Sequence, residues 1–270
     1  MNINEKKQAL ENSLRSLDGV AVAFSYGVDS TFLLKTAQSI LGDKAVAVTV
    51  RSALMPSGEF DGSAEFCEKE GIKQVVIDAD ELEIEGFAEN PPNRCYICKK
   101  ALFSKIIAAA GQLGINSVCE GSNADDINDY RPGMRAIKEL GVLSPLLEAG
   151  LTKAEIRSLS RQMNLPTSEK PALACLATRI STGETITKEK LKAVEKAESF
   201  LRSNGFSQVR VRVQGESARI ETEKNDIARL AALAAQTDLY LRSLGFRYVS
   251  LDLGGYKTGN MNSPSVKPDN

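Results

Sequence analysis

The chain has 270 residues, 42% hydrophobic and 26% charged, the composition of an ordinary soluble globular protein with room for one large core, or a medium and a small one. Its 34 basic and 35 acidic residues give a net charge of −1, which leaves no electrostatic footprint for nucleic acid, and no apolar run nears the ~20 residues that cross a bilayer. Histidine, the commonest general base and metal ligand, is absent, and five cysteines behind a charged N-terminus that does not read as a signal peptide point to a cytoplasmic protein without a disulfide framework.

In chain order, the pattern first predicts an amphipathic helix over 4–17, broken at Gly19. Val20–Phe24 is a continuous apolar run, which suits a strand buried on both faces of a parallel sheet. Residues 25–29 turn the chain into a helix over 30–41, and Ala45–Val50 is a second buried strand. A helix over 58–70 with Gly71 as its C-cap, a strand over 75–77, a long helix over 98–112, a strand over 115–120 and a helix over 152–163 follow. Such alternation specifies βαβ units and a doubly wound, mostly parallel α/β sheet.

After Gly183 the texture changes. A charged amphipathic helix over 187–203 precedes Val209–Val213, whose period-two alternation predicts a half-buried strand with Arg210 and Arg212 on one face. A short strand over 218–221, a helix over 224–244 and a strand over 246–251 complete a second, smaller α/β domain. The expected organisation is a larger α/β domain over 1–183, the small domain over 184–257, and a disordered tail over 258–270. Residues 184–270 hold 14 basic and 11 acidic groups, a surplus of +3 that suits a phosphorylated small molecule.

Ligands of doubly wound sheets bind beyond the carboxyl ends of the strands. There the first strand is followed by Ser25-Tyr26-Gly27-Val28-Asp29-Ser30. Amides at a helix N-terminus favour an anion, Gly27 permits close backbone approach, and Asp29 is a candidate Mg²⁺ ligand. Ser25, Gly27, Val28, Asp29 and Ser30 are therefore candidate phosphate contacts. The hexapeptide resembles the SGGxDS PP-loop of ATP pyrophosphatases, of the adenine nucleotide alpha hydrolase-like fold. Tyr26 stands at the first glycine, where a side chain would narrow the phosphate site or alter the turn. Ser52 after the second strand would reach the adenosine or be solvated. Gly121, Asn123 and Asp125 after the fourth would contact nucleotide or Mg²⁺, or simply form a capped turn.

Cys95 and Cys98 form a CxxC at the start of a helix, a spacing that suits a metal, a cluster or a reversible disulfide. Cys175 lies far away in sequence, with Arg179, a candidate phosphate contact, four residues on. Three cysteines can hold a [4Fe–4S] cluster on three irons and leave the fourth open. Structural zinc would need a fourth ligand. Cys67 and Cys119 fall in a helix and a buried strand and read as small hydrophobes.

Taken together, Phe24–Ser30, Arg94–Lys99, Gly121–Asp126, Asp129–Ala136, Ser144–Leu146, Glu148–Lys153, Pro171–Ile180 and Leu251–Lys257 resemble the LarE sulfur transferases over nearly the whole chain. The resemblance implies ATP-dependent adenylation of a carboxylate of pyridinium-3,5-biscarboxylic acid mononucleotide. Sulfur then replaces AMP to give a thiocarboxylate, on the route to the nickel-pincer nucleotide of lactate racemase. It implies either Cys175 as a sacrificial sulfur donor or, as all three cysteines are present, a [4Fe–4S] cluster on Cys95, Cys98 and Cys175. It implies a phosphate or metal site near Arg210, Arg212 and Glu221, which otherwise read as a face of salt bridges. It implies a homo-oligomer such as a hexamer, and leaves the sulfide donor unidentified. Two rival readings are a cluster-dependent PP-loop tRNA thiolase and a non-catalytic nucleotide-binding or sulfur-carrier scaffold.

Overall fold

The computed structural model describes residues 1–55, 58–128, 132–171 and 174–257. The tail expected over 258–270 lies outside them. The chain forms two compact units, one from Met1–Asp80 and Asn93–Leu173, the other from Glu81–Pro92 and the chain from Ala174 onward.

The first unit opens with α1 (Ile3–Arg15), started by a capping box in which the Asn2 side chain accepts the Asn4 and Glu5 amides and Glu5 accepts the Asn2 N–H. Then follow β1 (Val20–Ala23), α2 (Val28–Leu41), β2 (Ala45–Arg51), α3 (Glu59–Glu70), β3 (Gln74–Asp78), α4 (Arg94–Gln112), β4 (Val118–Cys119), α5 (Pro132–Glu139), α6 (Pro145–Glu148) and α7 (Lys153–Gln162). Gly71 ends α3 with a left-handed backbone, as its sequence position predicts. The strands pair in parallel in the order β3-β2-β1-β4. Alternate residues of β1 face opposite sides: Val20 and Val22 join Leu10, Phe32, Leu34 and Ile156, while Ala21 joins Phe103, Ile106, Val118 and Ile137. Both faces are therefore covered, and the doubly wound parallel α/β sheet expected from the apolar runs is present.

The fourth strand, expected over 115–120, is shorter than expected. The Ile115 N–H closes the end of α4 on the Ala110 carbonyl, so pairing begins only near Ser117, whose carbonyl accepts the Ala21 N–H. Beyond it, Cys119 bridges Leu143 in parallel. The strand order reverses between β1 and β4, and the crevice at their carboxyl ends is where such sheets hold ligands.

The second unit contains α8 (Lys188–Ser203), β5 (Val209–Gln214), β6 (Ser217–Thr222), α9 (Ile227–Ala232), α10 (Ala234–Ser243) and β7 (Tyr248–Leu251). Its sheet runs β5-β6-β7, antiparallel then parallel. Two expectations differ from what is observed. Residues 224–244 do not form one helix: the Leu233 N–H reaches only three residues back to the Leu230 carbonyl, and that tightened turn separates α9 from α10. β5 is not half-buried either. Val209–Val213 are all buried, because the Thr178 carbonyl, Glu221 and the Tyr256 ring cover the arginine face.

Candidate active site

At the crevice of the first unit, Gly27 is the N-cap of α2 and supplies no side-chain cap to its first-turn amides. Ser25 Oγ lies 3.2 Å from Ser30 Oγ, and Ser30 Oγ donates to the Gly27 carbonyl at 3.2 Å. Val28 is buried at the start of the helix and anchors it in the core. Asp29 leaves the first turn toward the loop after β4. Its carboxylate accepts from Asn123 Nδ2 at 3.4 Å and pairs with Lys153 Nζ. Burial raises the Asp29 carboxyl above its usual range, against the pull of the Lys153 ammonium, and Asp126 adds to the rise.

The loop after β4 is built to meet α2. A Cβ at Gly121 would stand 3.1 Å from the Ser30 nitrogen, so glycine lets the two backbones approach. Asn123 Oδ1 accepts the Asp125 N–H at 3.0 Å, and Asp126 Oδ2 accepts the Asn123 N–H at 3.0 Å. Asp125 accepts the Lys153 N–H at 2.9 Å and so holds the start of α7, from which Lys153 returns to Asp29. Ser25, Gly27 and Ser30 are thus bonded to one another, Asp29, Asn123, Asp125 and Lys153 form a second set, Gly121 lies against Ser30, and Val28 anchors the helix start in the core. Ser52 sits just past β2, where its Oγ accepts the Leu54 N–H at 3.2 Å.

Tyr26 has φ 55°, a left-handed backbone that disfavours a bulky side chain by about 1–2 kcal/mol. Its ring does not fold over the phosphate loop. It packs on Phe24 and Phe66, with Lys170 Nζ 3.9 Å from the ring centre.

Cys95 is exposed and Cys98 half-buried in the first two turns of α4. Lys99 reaches to 3.8 Å from the buried Glu120 at the end of β4, which places this turn at the same sheet edge as the phosphate loop. Cys67 and Cys119 are buried, and burial pushes each thiol up to about 12, so neither is available as a thiolate. Cys175, exposed, belongs to the second unit at the head of a short 3₁₀ turn over Leu176–Arg179. Cys95 and Cys98 belong to the first unit. Among the described residues, no group of three or more Cys, Asp or Glu side chains is placed to hold a metal ion.

In the second unit Arg179 is wholly buried. Nε and Nη2 donate to Glu198 at 2.8 and 3.1 Å, and Nη1 donates to the Ala174 carbonyl and Thr178 Oγ1 at 2.8 and 2.9 Å. Burial opposes ionised Glu198, but Arg179 and the Val211 amide outweigh it and hold the carboxyl below its usual range. Arg212 Nε donates to Glu221 at 2.9 Å and its Nη1 to the Thr178 carbonyl at 3.0 Å. Arg210 pairs in register with Glu221 across the strands, its guanidinium 5.4 Å from the Tyr256 ring centre, and burial, with Arg179 nearby, lowers its pKa. Three buried guanidiniums thus share their surroundings with the buried carboxylates Glu198 and Glu221, an imbalance that favours an anion.

Comparison with known proteins gives the kinship. No protein-family model matches the chain. An uncharacterised protein of Synechocystis sp. is 40% identical over 268 residues, 98% of this chain and 100% of the relative. A pyridinium-3,5-bisthiocarboxylic acid mononucleotide synthase of Lactiplantibacillus plantarum is 38% identical over 263 residues, 97% of this chain and 95% of that protein. The chain belongs to the LarE family. A more distant PP-loop relative is a glutamine-hydrolysing GMP synthase subunit of Thermoplasma volcanium, 28% identical over 203 residues, 70% of the LarE chain and 64% of the relative. No helix among the described residues of the LarE chain is long and apolar enough to cross a membrane.

Two site residues have no distinguishing sequence pattern. Lys153 is one lysine at the head of an amphipathic helix, and only the fold carries it to Asp29, 124 positions away. Glu198 reads as one of several charges on α8. Its sole hint is that it shares the helix face of Leu191, Val194 and Leu201.

Proposed function

We propose that this LarE chain is an ATP-dependent sulfur transferase acting on a carboxylate of pyridinium-3,5-biscarboxylic acid mononucleotide. The observation that carries the reading is the phosphate loop of α2, joined through Asp29 to Asn123 and Lys153 at the sheet's switch point, in a chain alike over its whole length to a synthase of the corresponding bisthiocarboxylate. A carboxylate is a poor electrophile. Attack of its oxygen on the α-phosphorus of ATP breaks the bond to the β-phosphate oxygen, releases pyrophosphate and makes AMP the leaving group. Ser25, Gly27, Val28, Asp29 and Ser30 surround the triphosphate, and the Lys153 ammonium meets charge as it develops on pyrophosphate. The Asp29 carboxylate offers a hard oxygen donor that suits Mg²⁺, which would neutralise the phosphates there, and Asn123 holds that carboxylate through Nδ2. Ser52, Gly121 and Asp125 line the nucleotide's side of the crevice.

In the second step sulfur attacks the acyl carbon and the C–O bond to AMP breaks. A thiolate does this without a general base near neutral pH, which suits a chain with no histidine. When Cys175 is the donor, its thioester then loses the Cα proton and the Cβ–S bond breaks, leaving dehydroalanine and the thiocarboxylate. Cys95, Cys98 and Cys175 are the thiols open enough to hold a [4Fe–4S] cluster, which would supply an exchangeable sulfide instead. Arg179 anchors the Cys175 backbone and adds its charge to that of Arg210 and Arg212, which with Glu221 form the seat for the substrate phosphate.

The test is anaerobic turnover with ATP, Mg²⁺ and the biscarboxylate mononucleotide, read as pyrophosphate release, iron content and protein mass. Release of pyrophosphate with either about four irons per chain or a ~34 Da loss at Cys175 fits the proposal and selects the sulfur source. No pyrophosphate and no thiocarboxylate would refute it.

A further inference from the structure

Tyr26 occupies a glycine position of the phosphate-loop pattern and takes the left-handed backbone that glycine would take, at φ 55°. Of the three non-glycine residues with positive φ among the described residues, the other two are asparagines, which tolerate that region, so Tyr26 needs its own explanation. Its surroundings supply one. The ring lies edge-on to Phe24 at 6.0 Å and tilted on Phe66 at 6.1 Å. Lys170 Nζ stands over the ring at 3.9 Å, donates to the Tyr26 carbonyl at 2.9 Å and pairs with Glu59 of α3 at 2.6 Å. The loop bearing Lys170 is itself fastened, since Arg157 donates to the Ser168 and Lys170 carbonyls at 2.6 and 2.7 Å.

Helix α3 makes room for the ring. Gly62 lies inside that helix, where glycine is a poor choice against alanine. A Cβ there would stand 2.3 Å from Tyr26 Cε1 and 2.9 Å from Cδ1, so alanine cannot share the space with the ring. Gly62 is thus the seat of an aromatic side chain that a loop of glycines would not have. The peptide between Tyr26 and Gly27 is trans, so its N–H points away from its carbonyl. By holding that carbonyl, Lys170 sets the direction in which the Gly27 N–H faces.

We propose that Tyr26, seated on Gly62 and clamped by Lys170, is a positioning residue that fixes the phosphate loop in its anion-binding conformation. It replaces the freedom of a glycine with a half-buried ring packed against the core and a carbonyl held by an ammonium. The loop is ordered before the anion arrives, so less ordering opposes binding. The inference rests on the reading that this loop takes the phosphates of ATP.

The experiment is a cycle of Gly62→Ala, Tyr26→Gly and the double variant, with ATP and adenosine binding measured by calorimetry and unfolding by melting temperature. In the native background Gly62→Ala displaces the ring and weakens ATP about tenfold, the equivalent of releasing one left-handed residue, while adenosine binding is unchanged. In the Tyr26→Gly background the same alanine has no ring to meet, and ATP affinity changes less than about twofold. Equal ATP affinity of the native and Gly62→Ala proteins, or an equal loss in both backgrounds, would overturn the proposal. Should the native protein not bind ATP, the ATP reading fails by itself and melting decides this one. Gly62→Ala lowers the melting temperature when Tyr26 is present and raises it in the Tyr26→Gly background, where alanine is simply the better helix former. A rise in both backgrounds would overturn it.

Discussion

Replacing Glu198 by alanine should unfold the second unit far below its native transition. The side chains of Arg179 and Glu198 are 0% and 1% exposed, and two hydrogen bonds join them. Glu198 also accepts the Val211 N–H at 3.1 Å and so ties α8 to β5. Alanine leaves the guanidinium buried without its counter-charge and the strand amide without its acceptor. Breaking one partner of a buried pair costs about 3–5 kcal/mol. For a unit of this size, that lowers the melting temperature by roughly 15 °C or more. Urea unfolding, with hydrogen exchange followed at Val211, reads the loss in the second unit separately from the first. Acid supplies an internal check. The Glu198 carboxyl is held below its usual range in the fold, so its contribution is full above the unfolded value of about 4.3 and is lost as pH falls through the lower folded value. The gap between native and variant proteins should therefore narrow in strong acid. A loss under about 1 kcal/mol at neutral pH would show that the pair contributes little and refute the reasoning.

Other outcomes follow from the same geometry. Asp29→Asn should lower pyrophosphate release at least a hundredfold, roughly the loss from removing one well-placed electrostatic group. In the native enzyme the acid limb of kcat/KM should lie above the ordinary aspartate value of about 3.9, because activity needs the ionised carboxylate and burial raises its pKa; a limb at the ordinary value would contradict that. Arg212→Ala should raise KM for the mononucleotide substrate while the nucleoside lacking the phosphate is used as before; an equal loss for both would remove Arg212 from phosphate binding. Cys175→Ser should abolish thiocarboxylate formation and any ~34 Da loss while AMP-ester formation persists, checked by protein mass and pyrophosphate assay. Cys67→Ala should leave iron content and sulfur transfer unchanged, since its buried thiol is pushed up to about 12 and is not a ligand, and iron analysis tests it.

By itself the sequence determined the architecture of the first unit. Unbroken apolar runs at Val20–Phe24 and Ala45–Val50, each followed by a helix, admit little but a covered parallel sheet, because an exposed face would demand alternation. It also marked the loop at Ser25–Ser30 and separated Cys67 and Cys119 from the other cysteines, since Cys67 falls within a predicted helix and Cys119 near the end of a predicted buried strand. Tertiary structure decided what lies across from these residues. The alternation of β5 reads as a half-exposed strand, yet partners from the 3₁₀ turn at Thr178, from β6 and from Tyr256 cover the arginine face. Asp29 reads as a magnesium ligand in a loop, and nothing local announces Lys153 as its neighbour. Nor does a glycine within α3 announce that it seats Tyr26. Local patterns record which face of an element is apolar, because burial acts on each residue along its own strand or helix. They do not record which distant charge or ring arrives at that face, because that is set by strand order and by packing between segments more than a hundred residues apart.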